Sequence, residues 1–117
     1  YSKLVELFML STLQAHPNLI PSILKYEHRL HEQIEQFKAV AELIDGSRLH
    51  INEVWVASRL EKYAYYRISP ANQVIHGWDN APHHPEISSH PHHLHEKDKV
   101  RTLSDVLKLL TAELVNS

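Results

Sequence analysis

The dipeptide Asp45-Gly46, followed by the β-branched and aromatic run SRLHINEVWV, narrows the possible folds of this chain more than any other feature. Leu30, Ile34, Phe37, Ala41 and Ile44 lie at helical spacing, and by that pattern alone residues 23–44 would form a helix. Asp-Gly, however, closes tight hairpins, because its glycine accepts positive φ at no steric cost. A hairpin needs a strand on its near side as well, so strands are predicted near 23–30 and 36–44. Beyond Trp55, KYAYYRI at 62–68 reads as a strand, SPAN at 69–72 as a turn and QVIHGWD at 73–79 as a further strand. Successive hairpins make an antiparallel meander. At the N-terminal end, residues 3–14 carry Leu4, Val5, Leu7, Phe8 and Leu10 and stop at His16-Pro17-Asn18, predicting a short buried helix. At the other end, TLSDVLKLLTAEL puts Leu103, Val106, Leu107, Leu110 and Leu114 on one helix face, with Thr102 and Asp105 spaced for a capping box. The expected architecture is α+β, a single domain over 1–117, with a meander of about four or five strands carrying N-terminal and C-terminal helices packed on it.

At 117 residues the chain can bury a core without staples, and with no cysteine it has no disulfide, thiolate metal site or cysteine nucleophile. No apolar run approaches bilayer length and LVELFML lacks a signal-peptide cleavage pattern, so a cytoplasmic chain without membrane contact is expected. Twelve Lys and Arg against fourteen Asp and Glu exclude a constitutively basic nucleic-acid binder. The eleven histidines make that conclusion conditional, since imidazoles gain charge in mild acid or beside phosphate. Gly46 and Gly77 are too few for a nucleotide-binding glycine loop, and there is no G-x-S-x-G elbow.

DNAPHHPEISSHPHHLH, residues 79–95, places six histidines between His83 and His95. The stretch is internal and interrupted by Pro, Glu and Ile, unlike a purification tag. Its three prolines and lack of periodicity predict a loop, unusually long for so small a domain, and such loops are often functional. Pro82 stiffens the pair His83-His84 and Pro91 the pair His92-His93. In extended chain His93 and His95 would project together, with His90 and His92 on the other side.

Three chemistries suit this pattern. In metal-independent RNA cleavage one neutral imidazole takes the 2′-OH proton and a protonated one serves the leaving 5′-oxygen. Asp79 would then orient a histidine and Asn80 would donate to phosphate or structure the loop. Trp78, Tyr63, Tyr65 and Tyr66 could stack bases, although tyrosines in strands are more often a half-buried sheet face. In the second, His83, His84, His92, His93 and His95, with Asp79 or Glu86, would hold zinc or another divalent ion, though the spacing fits neither a finger nor an H-E-x-x-H helix. The third is polar loop structure without chemistry. Outside this segment, His16, His28, His31 and His50 read as surface or satisfied strand residues, with His76 set apart because it adjoins the loop. EHRLHEQIEQ reads as a solvated charged stretch.

WDNAPHHPEISSHPHHLH resembles the D-N-A-P-H-H-P and P-H-H-x-H signature of the TumE family, the toxin partners of bacterial and archaeal toxin-antitoxin modules, and IDGSRLHINEVW resembles the hairpin ahead of it. The resemblance runs from about Ile23 and implies a cytoplasmic toxin held by a separately encoded antitoxin. Asp79, Asn80, His83, His84, His92, His93 and His95 match motif positions, whereas His90 does not. It also implies a basic residue two positions before the aspartate and another between the last two histidines. Gly77 and Leu94 stand there instead, leaving Arg67 and Lys97 as replacement cations. The combined expectation is a toxin acting on RNA, with His83, His84, His92, His93, His95 and Asp79 as catalytic candidates and Asn80, Trp78, Tyr65 and Arg67 on the substrate. No cofactor is required, with zinc or another divalent ion as the alternative. A non-catalytic metal- or partner-binding protein and a nucleotidyl- or phosphoryl-transferase toxin remain open, and apolar strand edges allow a homodimer.

Overall fold

A computed structural model of the chain describes residues 2–80 and 102–116. Its elements are α1 (Ser2–Gln14), β1 (Ser22–His31), β2 (Ile34–Glu42), β3 (Arg48–Val56), β4 (Arg59–Ile68), β5 (Val74–Asp79) and α2 (Leu103–Leu114). The strands form one sheet in the order β1-β2-β3-β4-β5, each pair antiparallel, which is the predicted meander. The hairpin therefore overrides the helical spacing of 23–44. Strand alternation explains why: Phe37, Ala39 and Ala41 are buried and face the same side as Leu49 and Ile51 across the β2–β3 pairing.

The Asp45-Gly46 connection is longer than a two-residue turn. It occupies 43–47, closed by Leu43 N–H to the Ser47 carbonyl at 2.8 Å and Gly46 N–H to the Leu43 carbonyl at 3.0 Å, with Gly46 at φ +89°. Asp45 also accepts the Ser47 N–H at 3.0 Å and pairs with Arg67 at 2.6 Å, fastening the turn to β4. Burial alone would raise the Asp45 pKa, but Ser47 and Arg67 hold it below the usual carboxylate value.

Both helices contribute to one core with the inner sheet face. Met9 and Leu13 of α1 join Leu103, Val106, Leu107 and Leu110 of α2 over Phe37, Leu49, Ile51, Tyr65 and Trp78. Met9 and Leu13, at i and i+4, form the buried stripe of α1, so Leu7 and Phe8 are turned outward at 60% and 58% exposure, contrary to the expectation that they pack inward. The C-terminal helix starts as predicted, with Asp105 N–H donating to Thr102 Oγ1 at 3.2 Å and Thr102 N–H to Asp105 Oδ2 at 3.0 Å.

EHRLHEQIEQ forms the β1–β2 hairpin, and it is not uniformly solvated. Glu35 is buried beneath α1's side of the sheet and hydrogen-bonds His28 Nε2 at 3.0 Å. Buried carboxylates need such a partner.

The β3–β4 turn carries strain, since Ala57 and Ser58 have φ of 50° and 65°. Two successive left-handed residues define a type I′ turn, which favours Asn-Gly and penalises a Cβ by about 1–2 kcal/mol per residue. Ala57→Asn combined with Ser58→Gly is expected to raise stability by about 1 kcal/mol, lifting the thermal midpoint by several degrees. An unchanged or lower midpoint in a melting experiment would contradict this account.

Candidate functional site

With both helices on the inner face, the outer face of the sheet is open among the described residues. Antiparallel register lines up Lys25, Val40, His50, Tyr66 and Gly77 in one row across all five strands. The next row contains Glu27, Lys38, Asn52, Ala64 and Asp79. Side chains along a strand alternate, so each row points away from the core formed by its sequence neighbours.

Asp79 ends β5 on this outer face. The Tyr66 hydroxyl donates to Asp79 Oδ2 at 2.6 Å, across the diagonal of the β4–β5 pairing. Burial, reinforced by the Asp79 hydrogen bond, pushes the Tyr66 phenol above its ordinary pKa, so the hydroxyl keeps its proton and acts as a donor. Asn80 then closes the strand pairing. Its Oδ1 accepts the Tyr63 N–H at 2.9 Å, its Nδ2 donates to the Glu61 carbonyl at 3.0 Å, and its own N–H donates to the Tyr63 carbonyl at 3.3 Å. The two amide groups thus act on β4 backbone, the loop-structuring contacts that were one of the two expectations for this residue.

A groove of about 390 Å³ adjoins Asp79 and Asn80, bordered by Lys62, Tyr63, Tyr66 and Asn52. A second depression of about 280 Å³ lies toward β1 and shares Asn52, Ala64 and Tyr66 with the first. His50 sits in this second depression. It is neither exposed nor satisfied: it is half-buried, and its Nε2 is buried without a hydrogen-bond partner among the described residues. Burial, with the positive charges of Arg48 and Lys25, lowers its pKa and keeps the ring neutral at pH 7.

Other predicted site residues face elsewhere. Tyr65 is fully buried and Trp78 is 4% exposed, paired with each other on the inner face under the helices. Tyr65 donates its hydroxyl to Glu53, so neither ring is presented for base stacking. Arg67 is also an inner-face residue, bound to Asp45 at 2.6 Å, Glu113 at 3.2 Å and Ser47 at 3.2 Å. A buried guanidinium committed to three oxygens joins β4 to α2 and the β2–β3 turn; it cannot replace an outer-face cation at the position of Gly77. His83, His84, His92, His93, His95 and Lys97 lie outside the described residues. Among the described residues no cluster of three or more side chains is arranged to hold a metal ion, and no helix is long and apolar enough to cross a membrane.

Residues 11–115 match the family described as Toxin TumE, which covers the meander, the histidine segment and α2. The chain belongs to the TumE toxin family. Among curated proteins and solved structures, none matches it. As a TumE protein it is the toxin of a toxin-antitoxin pair, and its partner is a cognate antitoxin. In this TumE toxin the outer-face residues Lys25, Lys38, His50 and Asn52 were not among the sequence candidates, and Tyr66 was one only as a base-stacking ring, not as the anchor of Asp79. Parity could have found them. Once Leu49 and Ile51 are assigned to the core, His50 must face outward, and Tyr66 follows by the same alternation from Tyr65.

Proposed function

We propose that this toxin is a metal-independent endoribonuclease in which histidines of the 83–95 segment perform both proton transfers. The reading rests chiefly on the outer-face ending of β5. There the Asp79 carboxylate is anchored by Tyr66 and the backbone by Asn80, three positions in sequence before His83, beside an open groove. A carboxylate held in this way can fix the tautomer and direction of an imidazole. A neutral histidine from the pairs His83-His84 and His92-His93 removes the 2′-OH proton. The 2′-oxygen attacks phosphorus, the P–O5′ bond breaks, and an imidazolium from the same set, with His95 available beside it, protonates the departing 5′-oxygen. The products are a 2′,3′-cyclic phosphate and a 5′-hydroxyl. Asn80 serves the architecture of this site by holding the end of β5 on β4.

Purified toxin incubated with RNA in excess chelator is expected to cleave and to leave those two end groups. Cleavage that disappears in chelator and returns with zinc would replace this chemistry with a metal site. Intact RNA under all conditions, with toxicity retained in cells, would transfer the toxic activity to a nucleotidyl- or phosphoryl-transfer reaction.

A further inference from the structure

We propose that the outer-face basin bounded by Lys25, Lys38, His50 and Tyr66 holds a phosphodiester group of a single-stranded RNA, so that the substrate backbone runs from this basin across β3 and β4 toward Asp79. The proposal rests on the ribonuclease reading and supplies it with a binding track.

The lining supports an anion. Among the described residues no carboxylate borders the depression, whereas two lysines and an imidazole do, together with Asn52 and Tyr66. Lys38 forms no ion pair among the described residues. Lys25 lies 3.5 Å from Glu27, but the lysine is 62% exposed, and a surface pair of this kind yields readily to a phosphate. Most telling is His50. A buried ring nitrogen without a partner is costly, and it is found here on the wall of a polar basin rather than in the apolar core. An Nε2–H directed at a phosphate oxygen would satisfy it, and phosphate charge would offset the repulsion that Arg48 and Lys25 exert on its protonated form.

The occupant is identified by continuity as well as charge. The basin shares Asn52, Ala64 and Tyr66 with the larger groove, whose far end is Asp79 and Asn80. Tyr66 therefore belongs to both, touching the basin with its ring while its hydroxyl anchors Asp79. An elongated strand can occupy both hollows at once, with a phosphate in the basin and its neighbouring nucleotide in the larger groove, where Glu61 and Asp79 supply carboxylates and Lys62 a cation.

The test uses a single-stranded 2′-O-methyl oligoribonucleotide, which lacks the attacking hydroxyl and cannot be cleaved by the proposed route. Its binding to the toxin freed of antitoxin is followed by fluorescence anisotropy over a range of salt concentrations. Lys25→Ala and Lys38→Ala should each weaken binding and reduce the slope of log affinity against log salt by about 0.7, the value for one phosphate contact on a single strand. Lys108→Ala, an exposed position on α2, should leave both unchanged. In the wild type, the His50 Nε2 resonance should move as the oligonucleotide is added. Equal affinities and slopes in all three variants, or an unmoved His50 resonance, would overturn the proposal. Loss of antitoxin binding with RNA binding intact would overturn it too, assigning the basin to the partner protein. Failure of the ribonuclease reading is separately visible: the oligonucleotide would bind through the basin, but an unmodified strand would stay intact.

Discussion

Cells induced to express His92→Ala or His83→Ala toxin without antitoxin are expected to keep growing and to retain their RNA, whereas the wild type arrests growth. The magnitude follows from the roles assigned. A positioned general acid or base contributes about a hundred- to ten-thousandfold in rate, so loss of either imidazole reduces cleavage by about that factor. The double variant should be little worse than the worse single one, because acid and base act as one unit in the same step. Both positions fall between β5 and α2 in sequence and lie outside the described residues. Retained folding is checked by circular dichroism and by capture on the antitoxin. Undiminished toxicity of both folded variants would remove the histidines from the mechanism. Folded, non-toxic variants that still cleave RNA at the wild-type rate would separate toxicity from cleavage.

Glu53→Ala is expected to destabilise the protein severely. Glu53 is 1% exposed and accepts two hydrogen bonds, from Trp55 Nε1 at 2.7 Å and from the Tyr65 hydroxyl. Truncation strands both donors, the Tyr65 hydroxyl in the core and the half-buried Trp55 N–H, at about 1–3 kcal/mol each, for a loss of about 4 kcal/mol, a large share of a small domain's stability. Glu53→Gln keeps the shape, an acceptor for Trp55 and a donor for the tyrosine oxygen, and should cost far less. It also changes the pH response. Burial raises the Glu53 pKa despite the two hydrogen bonds that favour its charged form. Between the unfolded carboxyl value of 4.5 and the raised native one, the folded protein binds the extra proton, so the stability due to this group falls as pH rises through that window. Glutamine has no such proton. The stability of Glu53→Gln relative to wild type should therefore increase from pH 5 to pH 8 in denaturant titrations. Contributions from His50 and Asp45 are present in both proteins and cancel in the difference. A constant difference would mean that Glu53 does not titrate in this range.

The meander was legible because its turns announce themselves. Asp45-Gly46 and Ser69-Pro70-Ala71-Asn72 lie between segments of strand-forming residues, and Asn72 adopts the positive φ of 64° that such a connection requires. Thr102 and Asp105 likewise marked the start of α2. The phase of α1 was harder, since Leu4, Val5, Leu7, Phe8 and Leu10 surround most of the helix and composition cannot select the stripe that packs. The faces of the aromatic strands were harder still. Tyr63, Tyr65 and Tyr66 are chemically alike, yet the first two stack with centroids 5.2 Å apart inside the core while the third anchors Asp79 outside it. Only register separates them. Arg67 misled for a related reason: its charge suggested a ligand contact, whereas its parity places it inward against Asp45 and Glu113. His50 gave no sign in composition or motif, because its interest lies in what surrounds it.

Placing both helices on one side of the sheet has an evolutionary consequence. Residues that hold the fold together and residues that meet the outside alternate along the same strands, yet they belong to separate surfaces. A lineage can exchange Lys38 or Asn52 for other side chains without disturbing Phe37 or Ile51 one position away. Such an architecture allows recognition to diverge rapidly between relatives while the foundation beneath it is inherited almost unaltered.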